Sequence, residues 1–116
     1  MSRTVAVIGA SNDRQKFGNK ALRAFEHQGY TVIPINPHEA VIEGHRAYPS
    51  VLDVAGPIDL ATVYVPPEIG VTVMAELARK GIREVWLNPG ADDAEVVARA
   101  EALGLSAILA LSLIHI

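Results

Sequence analysis

No cysteine occurs in the 116 residues, which removes disulfides, thiolate zinc sites, iron–sulfur clusters and cysteine nucleophiles in one step. A reducing compartment is allowed by that absence and not established by it. Positive charge is not in excess either. With Lys+Arg 10 against Asp+Glu 13 and a formal net charge of -3, the chain is too acidic for a protein whose main task is to grip a nucleic-acid backbone. Long apolar runs are missing as well. The stretch from Val5 to Ala10 is too short for a signal-peptide core. The longest run, Leu105 to Ile116, is broken by Ser106, Ser112 and His115 and falls short of the ~20 residues that cross a bilayer. A cytoplasmic location, with neither membrane nor nucleic acid as partner, is the resulting expectation.

What is present is 50% hydrophobic and 20% charged residues, a balance that suits one domain spanning residues 1–116 with a single core. Folding at this size buries roughly two-thirds of the unfolded surface, so staples are not required. Short apolar runs rich in β-branched residues alternate with longer segments of helical period, which is the pattern of βαβ units in a parallel sheet. Thr4 to Ile8 reads as a central strand covered on both faces. Phe17, Ala21, Leu22 and Phe25 then mark a helix that ends at Gln28-Gly29. Thr31 to Ile35 is a second strand whose proline predicts an edge position or a point that needs no ladder donor. His38 to Pro57 reads as loops with a short helical turn.

Leu60 to Val65 is the third strand, followed by a helix with Ile69, Val73, Leu77 and Ala78 on one face. Glu84 to Leu87 is the fourth strand. Asp92-Asp93 then bring negative charge to the start of a helix running through Leu103, and Leu105 to Leu109 is the fifth strand. The expected architecture is a single Rossmann-like, doubly wound α/β sheet of about five parallel strands with helices on both faces.

Ligands of such sheets lie outside the carboxyl ends of the strands. Gly9 permits a tight turn off the first strand, Ser11 and Asn12 offer polar donors, and the loop feeds a helix N-terminus whose free N–H groups favour phosphate. Arg14, Lys16, Lys20 and Arg23 follow closely with only Asp13 opposing them, a concentration that suits a small anion. The loop matches neither G-x-G-x-x-G nor a P-loop, and a plain strand–helix connection is the alternative.

Asn36-Pro37 ends the second strand where sites for NAD usually carry a carboxylate for the ribose diol. Its absence suits a phosphorylated ribose, as in CoA or NADP, although Asn36 is equally placed to be only a turn residue. Val65-Pro66-Pro67 offers an apolar wall or simply starts a helix. Trp86 reads as core packing, and Asn88-Pro89-Gly90 flanks the same crevice.

These segments, in this order, resemble the small CoA-binding protein family, relatives of the N-terminal domain of the succinyl-CoA synthetase alpha subunit and of ADP-forming acyl-CoA synthetases. The resemblance runs from Thr4 to about Leu109 through Val5-Ala6-Val7-Ile8-Gly9-Ala10-Ser11, Phe17-Gly18-Asn19, Gly29-Tyr30, Asn36-Pro37, Gly44, Tyr48-Pro49, Asp59, Val65-Pro66-Pro67 and Gly81 through Trp86 to Ala91. It implies CoA or acyl-CoA as ligand. The family's first-loop hydroxyl falls on Ser11, its phosphate-facing cation on Arg14 or Lys16, its second-strand contact on Asn36-Pro37 and its Pro-Pro wall on Val65-Pro66-Pro67.

The full candidate set adds Gly9, Ala10, Asn12, Phe17, Gly18, Asn88, Pro89 and Gly90. Asn88 stands where the family commonly has glutamine. The apolar end departs from the family's Asp-Arg-Cys continuation, so the chain reads as truncated or altered from about residue 110, with self-association through that end expected.

No catalytic residue is assigned. His27 suits a helix C-terminus, His38 and His45 show no partner in sequence, His115 lies on the atypical end, and Asp92-Asp93 read as helix-start charges with no metal implied. The favoured reading is a CoA-binding module without chemistry of its own, sensing the ligand or presenting it to a protein partner. The alternatives are a half-site subunit of an acyl-CoA ligase or an NAD(P)-binding reductase fragment.

Overall fold

The computed structural model describes residues 3–109. The atypical end from about residue 110, with His115, lies outside the described residues. In chain order the elements are β1 (Thr4–Ile8), α1 (Phe17–His27), β2 (Thr31–Ile35), β3 (Val41–Ile42), β4 (His45–Arg46), a 3-10 turn (Val51–Asp53), β5 (Leu60–Val63), α2 (Pro67–Lys80), β6 (Glu84–Leu87), α3 (Ala94–Ala102) and β7 (Ser106–Leu109). Five strands form one parallel sheet in the order β2-β1-β5-β6-β7. The expected doubly wound sheet is therefore present. The expected helical turn is the 3-10 segment, and the region read as loose also contains the antiparallel hairpin β3–β4.

β1 is apolar throughout because it is covered on both faces. Val5 and Val7 pack under α1 with Leu22 and Phe25, while Ala6 and Ile8 join the core beneath α2 and α3 with Met74, Leu77 and Val96. β2 lies at the sheet edge, as its proline predicts. Its outer side makes only an isolated bridge to Tyr48, in which the Tyr48 N–H donates to Pro34 O and the Asn36 N–H donates to Tyr48 O. The missing N–H of Pro34 falls where no neighbouring strand needs it.

Two assignments of helix faces shift. Phe17, expected in the apolar face of α1, is 57% exposed, and Ile69, expected in that of α2, is 50% exposed. Both lie in first turns at the carboxyl edge of the sheet, where little core lies beneath them. In α2 it is Gly70 that is buried, with Val96 3.3 Å from where its Cβ would stand. Ile69 is left overhanging the strand ends.

The chain leaves β1 toward β2 with α1 on one face and leaves β5 toward β6 with α2 on the other. The adjacent ends of β1 and β5 are therefore the point where the winding reverses and a crevice opens.

Candidate functional site

Gly9 turns the chain off β1 at φ 89. Its N–H still donates to Ile35 O at 3.1 Å, and its carbonyl oxygen sits 2.3 Å from where a Cβ on Gly18 would be. A Cβ on Gly9 itself would lie 3.1 Å from the Tyr64 carbonyl carbon. Two residues without side chains thus draw the loop backbone, the first turn of α1 and the end of β5 to one point. That turn of α1 is bare. Lys16 at its N-cap makes no side-chain cap and no acidic residue stands in the first turn. In α3, by contrast, the Asp93 side chain accepts from the Glu95 N–H and Glu95 adds a carboxylate. The positive end of the α1 dipole is left for an anion.

The side chains of the first loop divide into two sets. Ser11 and Lys16 border a polar cleft of about 270 Å³ together with Gly9, Ala10, Phe17 and Gly18, with Asn36, Tyr64 and Pro89 across it. The Ser11 hydroxyl accepts from the Asp13 N–H and keeps its own proton to donate. Asn12 and Arg14 point away, to the β3–β4 hairpin. Asn12 donates to Glu39 Oε2 at 3.0 Å and Val41 O at 2.9 Å, and Arg14 Nε lies 3.5 Å from Glu43 Oε2. Buried Asn19 completes the clamp by donating to Ser11 O and Glu43 Oε2 and accepting from Arg23 Nε. The Asn19 hydrogen bond holds the Glu43 carboxyl below its ordinary value of 4.5, and the charges of Arg14 and Arg23 act in the same direction. Of the four clustered cations, Lys16 is the one that borders the cleft.

A second cleft of about 300 Å³ lies beside the first and shares Gly9 and Asn36 with it. Its walls are mostly apolar: Ile8, Ile35 and Val65 at the strand ends, Pro37 and Pro49, and Ile69 and Val73 from α2, with Thr72, Glu76 and His38 supplying the polar groups. Asn36 is the strut between the two. It donates to Ala10 O at 2.8 Å and accepts from the His38 N–H at 2.7 Å, so it is a turn residue that also faces both clefts.

Among the remaining candidates, Pro66 and Pro67 begin α2 and border neither cleft, which matches the helix-start reading. Asn88 is buried and donates to Thr62 Oγ1 and Val63 O. It braces the sheet end while Pro89 reaches the polar cleft, and Gly90 serves the turn at φ 96.

Cleft residues absent from the candidate set include Tyr64 and, on α2, Thr72 and Glu76 together with Ile69 and Val73, which the helical period places only on an apolar face. Tyr64 follows the end of β5, two residues on from Thr62 and so in register with its face of the sheet. Its hydroxyl is buried without a hydrogen-bond partner among the described residues, and burial pushes the phenol above its ordinary value of 10.0. Ile69, Thr72, Val73 and Glu76 recur at i, i+3, i+4 and i+7, a legible helical face. Half-buried Trp86 donates to Glu84 and packs against the α1-side core, as expected. Among the described residues no cluster is arranged to hold a metal ion, and no helix is long and apolar enough to cross a membrane.

An α/β domain with a bare helix N-terminus at its switch point and paired polar and apolar clefts has its ligand crevice where doubly wound sheets place it. The chain belongs to the CoA binding domain family, whose model matches residues 3–114. The alpha subunit of an ADP-forming acetate–CoA ligase II from Pyrococcus furiosus is 39% identical over 84 residues, covering 72% of this chain and 18% of the relative. A conserved hypothetical protein from Pyrococcus furiosus has a structure superposing with a TM-score of 0.90 at 31% identity, over 97% of each chain. The dinucleotide-forming acetyl-coenzyme A synthetase 1 of Ca. Korarchaeum cryptofilum superposes with a TM-score of 0.77 at 30% identity, over 90% of this chain and 25% of its own. The chain therefore spans less than a fifth of the curated ligase it matches and the whole of the small protein's fold.

Proposed function

We propose that this chain binds CoA or an acyl-CoA as a recognition module and performs no chemistry of its own. The observation that carries the reading is the bare α1 N-terminus, pulled against the Gly9 turn and faced by Lys16 and Ser11. The diphosphate is assigned there, with N–H groups, one ammonium and one hydroxyl as donors. The adenosine end is assigned to the apolar cleft beyond Asn36, and the pantetheine arm to the side of Tyr64 and Pro89. The end of β2 presents no carboxylate to a ribose, because Glu39 is held by Asn12 and borders neither cleft. That favours a phosphorylated ribose over a free diol at the end of β2; Glu76, the carboxylate that borders the adenosine cleft, comes from α2 and already accepts from the Ser50 hydroxyl.

Two of the three described histidines stand away from the clefts, and the third, His38, borders the apolar cleft, where it is read as a binding group. His45 pairs with Glu26 at 2.8 Å and borders neither cleft, and His27 occupies the last turn of α1. The ligases among the relatives support a second reading, in which the module presents its ligand to a protein partner that carries the catalytic groups.

Calorimetry against CoA, dephospho-CoA, NADP and NAD tests the reading. CoA is expected to bind tightest and NAD weakest. NAD or NADP binding tighter than CoA would overturn it, and silence with all four would leave the clefts without a nucleotide role.

A further inference from the structure

A ribose phosphate brings the adenosine end a charge that needs a cation. Among the described residues, two ionisable side chains border the apolar cleft: His38 from the loop after β2 and Glu76 from α2. β1, β5 and the segment at Pro49 contribute none. Glu76 already accepts from the Ser50 hydroxyl at 2.9 Å, and its charge opposes an anion. The arginine nearest in sequence on this side, Arg46, is stacked over the Tyr48 ring at 4.9 Å and does not border the cleft. Lys16 belongs to the other cleft, beyond the Asn36 strut. His38 is exposed, and its N–H bond to Asn36 Oδ1 fixes its backbone at the β2 terminus, where sheets of this class meet the adenosine ribose.

We infer that His38 is the residue that reads the ribose phosphate, so that discrimination between CoA and dephospho-CoA strengthens as pH falls and the imidazole gains its proton. The inference rests on the proposed CoA reading and adds to it a specificity residue and a pH dependence. Histidine changes charge between pH 5 and 8, whereas lysine or arginine in the same place would hold the phosphate at every pH in that range. The ligand's own phosphate pulls the other way, since a phosphate monoester with a second pKa near ~6 loses charge on acidification. A rise in discrimination toward acid therefore requires a protein group that takes up a proton, and of the two types at this cleft histidine is the one that ordinarily does so between pH 5 and 8.

The experiment is calorimetry of CoA and dephospho-CoA at pH 8 and pH 6, just above the isoelectric point of 5.7, with wild type, His38→Gln, His38→Lys and Arg46→Gln. In wild type the affinity ratio is expected to rise roughly three- to fivefold from pH 8 to pH 6, the size of an exposed ion pair. In His38→Gln it is expected to be low and to fall toward acid. In His38→Lys it is expected to be high at pH 8 without an acid rise. A wild-type ratio that stays flat or falls, or one abolished by Arg46→Gln and kept by His38→Gln, overturns the role of His38 while leaving CoA binding intact. No binding of either ligand by wild type at either pH brings down the CoA reading itself and this inference with it.

Discussion

The two clefts share Gly9 and Asn36 and are otherwise built from opposite materials. One is backbone: a glycine turn, a bare helix end and a lysine, over α1. The other is side chain: valine, isoleucine and proline at strand ends, closed by a helical face of α2. The difference follows from the switch point, where α1 and α2 lie on opposite faces of the sheet and each lends its first turn to one cleft. A ligand that is charged in the middle and flat and apolar at one end matches the pair better than it matches either alone. The polar cleft is the more fragile of the two, because its shape depends on close backbone approach and tolerates no added atom.

The largest expected effect therefore falls on Gly18. A methyl group there would lie 2.3 Å from the Gly9 carbonyl oxygen, a backbone atom that cannot swing aside. Gly18→Ala is expected to destabilise the fold by about 3 kcal/mol or more, as overpacking and backbone displacement do. Denaturant unfolding measures it, and a loss below ~1 kcal/mol would show that the approach is loose. Next comes Lys16→Glu, which reverses the charge of the one clustered cation that borders the polar cleft. CoA affinity is expected to fall roughly 10- to 100-fold, the range for a hydrogen bond to a charged group, with little change in melting temperature. Unchanged affinity would remove the diphosphate from this corner.

The sheet was legible in the sequence and the division of labour within the first loop was not. Thr4–Ile8, Thr31–Ile35 and Glu84–Leu87 match the expected strands because a short, largely apolar run between turn residues has few other ways to bury itself. Pro34 even marked its strand as an edge. Arg14 and Lys16 sit two residues apart with the same charge, and nothing local says which faces the cleft. That is decided by Glu43, which the β3–β4 hairpin brings to Arg14 and which Asn19 of α1 holds in place; the hairpin's two-residue strands are too short to leave a period. The wall of α2 was misread for a related reason. Hydrophobic period puts Ile69 in line with Val73, but periodicity does not report that the sheet ends below it and leaves it half exposed.

Ile69 sharpens the comparison from the apolar side. Half of its surface is already buried, so a ligand covers only the remainder, worth roughly 1 kcal/mol by area. Ile69→Asn is expected to weaken CoA and adenosine by about fivefold and to leave inorganic pyrophosphate unaffected in a competition assay. Lys16→Glu should give the converse, a larger loss for pyrophosphate than for adenosine. If both variants weakened both probes equally, the two clefts would be one site and the contrast drawn between them would fail.

The smallest effects belong to the residues that look most like phosphate ligands in sequence. Arg14 is highly exposed and 3.5 Å from Glu43, so Arg14→Gln is expected to change CoA affinity less than twofold, against the much larger loss from Lys16→Glu. Its work, with Asn19, is on the hairpin. The Glu43 carboxyl titrates lower in the folded chain than its ordinary 4.5, chiefly through the Asn19 hydrogen bond. A depressed carboxyl stabilises the state in which it is ionised, so its contribution is complete above about pH 4.5 and disappears as pH falls through the lowered value. Carbon-detected NMR titration of Glu43 is expected to give a midpoint below 4.5 that returns toward it in Asn19→Ala. The melting temperatures of wild type and Glu43→Gln should converge in acid. Because this carboxylate lies at the surface, partly exposed to solvent, the difference at neutral pH is expected to be small and to shrink with salt. A midpoint at or above the ordinary value would mean that the hairpin is held by Asn12 and by the His45–Glu26 pair without Glu43, and would return Arg14 to the pool of cations available to a phosphate.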